Sequence, residues 1–344
     1  MITHSKPFII DEDIEDISNV LRSKMIANGN LVKIFESNIA EYFNYPSSVV
    51  SGNGTYALVL ALKALEIGNG DEVIVPTYVC ESVLRAVKSV GAKAVLCDIG
   101  ENWCVEKENV MHLLSPKTKA IIVVHIFGIA ADVEDFLSLG VDIIEDCCQA
   151  FGTEFKGKKV GTFGDIGFFS FHSTKCLTTG EGGAVIAKKP EIQSKIRKLS
   201  NNSVISGLTD LQAALGISQL KRYSDFLKIR REIAERYLSD LPNNLTNNIN
   251  EIKNKTIFFR FLLRSDKIND FISVQRRFED QGTIIRKGVD QLLHRMLEID
   301  DKQFPNAVKL FNETISIPIY PSLKENEIGI IIESVNNIYN SEGL

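Results

Sequence analysis

Residues 141–187 read VDIIEDCCQAFGTEFKGKKVGTFGDIGFFSFHSTKCLTTGEGGAVIA. Three strand-like runs stand in this stretch: VDIIEDC (141–147), FGDIGFFSFH (163–172) and GGAVIA (182–187). Their apolar residues run together instead of alternating with polar ones, which is the pattern of strands buried on both faces. On the N-terminal side the pattern recurs in VVS (49–51), DEVIVP (71–76), KAVLCDI (93–99) and AIIVVHIF (120–127). Helical segments such as TYALVLALKALEI (55–67) and a stretch near 80–90 separate these strands. Strands alternating with amphipathic helices predict an α/β fold, a mostly parallel sheet with helices on both faces. On the C-terminal side a long helix is expected from Thr209 to Leu241, with Thr209-Asp210 as its N-cap. The Asn-rich LPNNLTNNINEIKNK (241–255) reads as a linker, and TIFFRFLLRS (256–265) as a strand beyond it. Residues 1–241 are therefore assigned to a large domain and 242–344 to a smaller α+β domain.

Composition narrows the function classes. The chain has 344 residues, 44% hydrophobic and 24% charged, the proportions of an ordinary globular protein, so disorder and coiled coil are excluded. Lys+Arg 39 against Asp+Glu 44 gives −5, which argues against a nucleic-acid partner. Mean hydropathy is +0.01, no 18-residue apolar run occurs, and the N-terminus turns acidic after FII, so neither a membrane span nor a signal peptide is expected. The expected location is cytoplasmic. The six cysteines form no CxxC and read as reduced thiols; the five histidines are scattered, so no metal is expected.

Three segments carry chemistry. Gly52-Asn53-Gly54-Thr55-Tyr56-Ala57 fits G-x-G-x-x-A, yet the second strand ends in Val75-Pro76-Thr77, without the acidic residue that a dinucleotide site requires. What survives is a helix start offering N–H groups to a phosphate at Gly54, Thr55 and Tyr56. Asp146 ends a buried strand, at the rim where α/β sheets bind ligands. Lys175 follows another buried strand and precedes a Gly-rich turn, with Ser170 five residues upstream as a second phosphate contact. Taken singly, each feature has a plainer reading: a structural βα turn, a helix-capping Asp, a loop lysine with its head in solvent. Taken together in this order, phosphate anchor, strand-end carboxylate and lysine point to pyridoxal phosphate.

The same segments resemble the DegT/DnrJ/EryC1/StrS aminotransferases, pyridoxal-phosphate enzymes of fold type I. The resembling stretches are Gly54–Leu58, GDEVIVPTY (70–78), TKAIIVVHIFG (118–128), residues 145–184, TDLQAALGISQL (209–220) and ISIPIYPSL (315–323). The resemblance implies a homodimer with shared active sites that moves an amino group from an amino acid, Glu or Gln, to a keto sugar, commonly nucleotide-linked, in surface polysaccharide or amino-sugar biosynthesis. It makes Lys175 the Schiff-base lysine, Asp146 the partner of the ring nitrogen and Gln149 the partner of the phenolic oxygen. Ser170 with the backbone of Thr55 and Tyr56 would hold the phosphate. Two departures stand out. Cys80 occupies the place of the aromatic residue that covers the ring, so either Tyr78 stacks there or the ring lies against the Cys80 thiol. The loop between Lys198 and Thr209 is short, and its aligned positions Ile205-Ser206-Gly207 lack the family's Asn and Arg, with Asn201, Asn202 or Ser203 as substitutes for the Asn. A smaller phosphorylated ketone thus becomes a second candidate acceptor. A dehydratase on the same fold and a non-catalytic regulatory binder also stay open as activities. In the smaller domain Arg286, Lys287, His294 and Arg295 are the candidate substrate contacts; a solvated basic face is the plainer reading of them.

Overall fold

The computed structural model describes residues 1–203, 207–268 and 270–342. Seven strands form the central sheet: β1 (Val49–Ser51), β2 (Glu72–Pro76), β3 (Lys93–Cys97), β4 (Thr118–Val124), β5 (Asp142–Asp146), β8 (Ile166–Ser170) and β9 (Gly183–Ala187), in the order β1-β9-β8-β5-β4-β2-β3. A two-stranded ribbon, β6 (Glu154–Phe155) and β7 (Lys158–Lys159), sits between β5 and β8 in the chain. Strands β3, β2, β4, β5 and β8 run parallel, and β9 runs antiparallel to both β8 and β1. All seven strands expected from residue 49 to 187 form, each within three residues of its expected ends. Val, Ile and Phe fill them because helices cover both faces, so no strand has a polar side to show.

Parallel pairing sets one edge of the sheet apart. The C-terminal ends of β1, β4, β5 and β8 all fall on it, and β9 begins there. Ser51 and Ser170 both pair with Gly183 in register, which puts the turn after β1 next to the end of β8. The β5 register places Asp146 between Val124 and Phe168.

Two expectations need correction. The single helix of 209–241 is two, Asp210–Lys221 and Tyr223–Asp240, broken at Arg222 (φ −108°, ψ 9°), whose guanidinium is held 2.6 Å from buried Asp13. The Thr209 N-cap does form, and its partner Gln212 closes a capping box. Asp210 instead caps the neighbouring helix Asn30–Phe43, accepting the N–H groups of Gly29 and Val32 at 3.0 Å. The expected linker is largely the helix Asn243–Ile252. Asn is a poor helix former, but Leu245, Ile249 and Ile252 recur at helical spacing and are buried, and that packing outweighs propensity.

The chain beyond this helix adds a second sheet, β10 (Phe261–Arg264), β12 (Thr314–Ile317) and β11 (Arg286–Lys287), with β12 in the middle and every pair antiparallel. The N-terminus reaches it: Ile2 bridges to Thr283, and His4 Nε2 lies 2.8 Å from Ser316 Oγ.

Truncating Ile249 to Ala tests the helix that replaces the linker. A packed residue should lose about 2–4 kcal/mol of unfolding free energy. A linker residue would lose less than about 0.5 kcal/mol, read from the urea midpoint.

Candidate active site

A cavity of about 890 Å³ opens at the C-terminal edge of the central sheet and is closed on its other side by the second sheet. One end is the start of the helix Gly54–Ala64. Asn53 caps that helix, its Oδ1 accepting the Tyr56 N–H at 2.8 Å, which leaves the Gly54 and Thr55 N–H groups at the cavity wall. Gly54 is there for lack of space: a β-carbon on it would stand 2.7 Å from the Ser170 β-carbon. Ser170 also faces the cavity, so two backbone N–H groups and the hydroxyls of Thr55 and Ser170 converge on one spot. The expectation for Tyr56 is corrected. Its N–H is spent on Asn53, and its hydroxyl bonds Ser203 outside this cavity.

At the other end lies Asp146, buried at the end of β5, with Oδ1 accepting the Cys148 N–H at 2.9 Å. Burial holds its carboxyl above the usual carboxylate range, with nearby Lys175 pulling the other way. Lys175 itself is half-buried in the turn after β8, its Nζ 5.2 Å from the centre of the Phe259 ring. Gln149 spends Oε1 on the Phe127 N–H at 2.7 Å, which leaves its Nε2 amide to donate into the cavity. Cys80 lines the cavity at the foot of the helix Glu81–Ser89, whereas Tyr78 is turned into the core, edge-on to Phe127 at 6.1 Å. Of those two residues only Cys80 is on the wall.

The candidate substrate contacts divide. Arg286 lines the cavity. Lys287, His294 and Arg295 do not, because their donors are committed elsewhere. Lys287 Nζ bonds the Phe311 carbonyl at 2.7 Å, and burial beside Arg295 lowers its ammonium to about 8. His294 is buried between Thr77 (2.7 Å) and Asp301 (2.9 Å) and stacks on Phe304. Arg295 grips Asp301 with two hydrogen bonds, which together with His294 pull that carboxyl down to about 2. These residues tie a surface segment down; a basic cluster in sequence looks the same whether its charges are free or paired. Of the short 199–208 loop, 204–206 lie outside the described residues. Asn202 and Ser203 border the second cavity, behind Tyr56.

Sequence reasoning missed His4, His125, Phe259 and Arg260, all on the cavity wall. His125 follows β4 directly; its Nδ1 accepts the Ala131 N–H at 3.1 Å, so Nε2 carries the proton and donates to Glu145 at 2.9 Å. Glu145 also accepts from Gly161, Phe163 and Gly164. His125, Glu145 and Cys147 lie within 4.8 Å of one another, but these bonds use the lone pairs that a metal would need.

The chain as a whole is similar to known proteins. The DegT/DnrJ/EryC1/StrS aminotransferase family model matches residues 7–336. GDP-perosamine synthase of Vibrio cholerae is 32% identical, covering 99% of this chain and 100% of its own. The spore coat polysaccharide biosynthesis protein SpsC of Bacillus subtilis is 30% identical over 98% and 97%. Among solved structures, the putative sugar aminotransferase Spr1654 from Streptococcus pneumoniae superposes with a TM-score of 0.89 at 25% identity in both its PMP and PLP forms, covering 98% of this chain and 97% and 98% of the other.

Because Asp146 has a raised carboxyl, the folded chain holds its proton to higher pH than the unfolded chain does. Stability from this group is full at low pH and is lost as pH rises from the ordinary carboxylate value through the raised one. Asp146→Asn should therefore raise the thermal midpoint of cofactor-free protein at pH 7 more than at pH 4, while weakening pyridoxal-phosphate retention in dialysis. Equal midpoint shifts at both pH values would contradict the burial argument.

Proposed function

The chain belongs to the DegT/DnrJ/EryC1/StrS aminotransferase family, and from that premise we propose that this pyridoxal-phosphate enzyme transfers an amino group from Glu or Gln to a nucleotide-linked keto sugar. The observation that carries the reading is one cavity into which Lys175, Asp146, Gln149, Ser170 and the Gly54–Thr55 helix start all project. Relatives named for GDP-perosamine and spore coat polysaccharide support a role in surface polysaccharide or amino-sugar synthesis.

The donor set fits the cofactor. A dianionic phosphate suits a helix start with two unspent N–H groups, two hydroxyls and no carboxylate among its donors. A protonated ring nitrogen suits Asp146, since a cation alongside reverses the effect of burial and restores its charge. The Gln149 Nε2 amide would donate to the phenolic oxygen, and Cys80 would lie against the ring. When bound, pyridoxal phosphate supplies an electron sink for the charge left when the donor carbon loses its proton.

The rest is the work of this chain. Lys175 Nζ would hold the cofactor, and its amine, when free, would move a proton from the donor carbon to the carbon on the far side of the imine nitrogen. Phe259 lies under the Lys175 ammonium and restricts where that amine swings. His125 and Glu145 fix the ends of β4 and β5, and so the position of Asp146.

The division at 241/242 and a homodimer with shared sites belong to the same proposal. Exposed Ile9, Ile14, Leu21, Met25 and Ile26 around the first helix favour a partner there, as does the opening of the second cavity behind Tyr56. Among the described residues no helix is long and apolar enough to cross a membrane; a cytoplasmic site of action is part of the proposal.

Lys175→Ala should lose the visible absorption of lysine-bound cofactor and reduce turnover with L-glutamate by at least about 10³-fold. Wild-type protein should convert L-glutamate to 2-oxoglutarate once per bound cofactor when no acceptor is present. Full activity in the Ala variant would sink the proposal.

A further inference from the structure

The cavity wall opposite Asp146 comes from the second sheet, and it is cationic. Arg260 immediately precedes β10 and Arg286 opens β11; β12 lies between those strands, with Arg286 registered against Ser316 and Phe261 against Ile317. Both arginines line the cavity. Arg260 spends Nη1 on the Lys287 carbonyl at 2.8 Å, but its Nε is buried with no hydrogen-bond partner. The Arg286 guanidinium has no hydrogen bond or ion pair among the described residues. The wall also holds His4, whose imidazole burial and the two guanidiniums push down to about 3, so it adds no positive charge at neutral pH. The opposite charge that Arg260 feels is Asp290, which is exposed at the cavity mouth.

A buried guanidinium N–H without a partner costs more than the net gain of an ordinary hydrogen bond, so an anionic ligand that reaches it recovers that cost. Arg230 lines the same cavity and differs from Arg260 in how far its guanidinium is tied to the protein. Its Nε is likewise unpaired, but its Nη1 binds the carbonyls of Phe258, Phe259 and Ile319, so its fork is spent on holding the backbone of the cavity wall. Arg260 has one such tie and keeps the rest of its fork free. It is also placed with respect to the chemistry: the Arg260 guanidinium and the Lys175 amine lie 5.9 and 5.2 Å from the centre of the same Phe259 ring.

We propose that Arg260 and Arg286 form a two-guanidinium clamp for an oxyanion of the substrate, a carboxylate or phosphate, holding it while the reacting carbon lies at Lys175. The inference deepens the aminotransferase reading and rests on it. Two guanidiniums from either side of β12 suit a group with at least two charged oxygens, because each can bind a different pair. Two substrates alternate in a transaminase cavity, and either could bring that group: the α-carboxylate of the donor or the phosphates of the acceptor.

The test compares wild type with Arg260→Gln, Arg260→Lys and Arg286→Gln in the cofactor-loaded protein. Calorimetry measures binding of pyrophosphate and of GDP; rapid mixing measures the concentration of L-glutamate that half-saturates loss of the cofactor's visible absorption. Loss of about tenfold or more in pyrophosphate and GDP affinity in the Gln variants, with partial return in Arg260→Lys, assigns the clamp to the acceptor phosphates. The same loss confined to L-glutamate half-saturation assigns it to the donor carboxylate. Values within about twofold of wild type on both arms, with cofactor absorption intact, overturn the clamp. The wild-type response to L-glutamate reports separately on the aminotransferase reading, and anion binding does not depend on turnover.

Discussion

Glu145 accepts four hydrogen bonds, from His125 Nε2 and from the N–H groups of Gly161, Phe163 and Gly164, at 2.6–2.9 Å and with no exposure to solvent. A carboxylate taken out of water is tolerable only when its lone pairs are filled, and these four donors fill them. The site is arranged around that constraint. The bonds join the end of β4 to β5 and to the turn that enters β8, so the three strands carrying His125, Asp146 and Ser170 are fixed to one another. Successive side chains of a strand point to opposite faces, so anchoring Glu145 also fixes where Asp146 goes. Two adjacent acids thus have opposite fates, Glu145 saturated by the protein and Asp146 left at the cavity wall.

The second constraint is steric. Gly54 meets the Ser170 β-carbon, and a β-carbon on Gly183 would stand 2.6 Å from the Asn53 carbonyl oxygen. These glycines allow the turn after β1 to pack directly on the end of β8 and the start of β9. Backbone N–H groups and the Ser170 hydroxyl then act on the same point without long, mobile side chains.

Much of this was legible in the sequence. The strands were, because burial on both faces writes an uninterrupted apolar run. That Asp146, Ser170 and Lys175 line one cavity was, because chain order along a parallel sheet translates into neighbours at one edge, whereas Gln149 was named only through the family resemblance. Pairing was not legible. Whether His294 and Arg295 face a substrate depends on Asp301 and Thr77, and whether the Tyr56 N–H is free depends on a single rotamer of Asn53. The helix at 243–252 was hidden by its asparagines, and Arg260 by the apolar residues that flank it in TIFFRFLLRS. The second sheet matters most for what it adds, a cationic wall facing a carboxylate, which gives the cavity a polarity along which a substrate with an anionic end can lie.

The account stands on Lys175 being the one lysine that binds the cofactor. Borohydride reduction of the pyridoxal-phosphate-loaded protein, followed by peptide mass mapping, tests this directly. The account predicts a phosphopyridoxyl mass on the peptide carrying Lys175 and on no other lysine. A label on a different lysine, or no stoichiometric label at all, would contradict it.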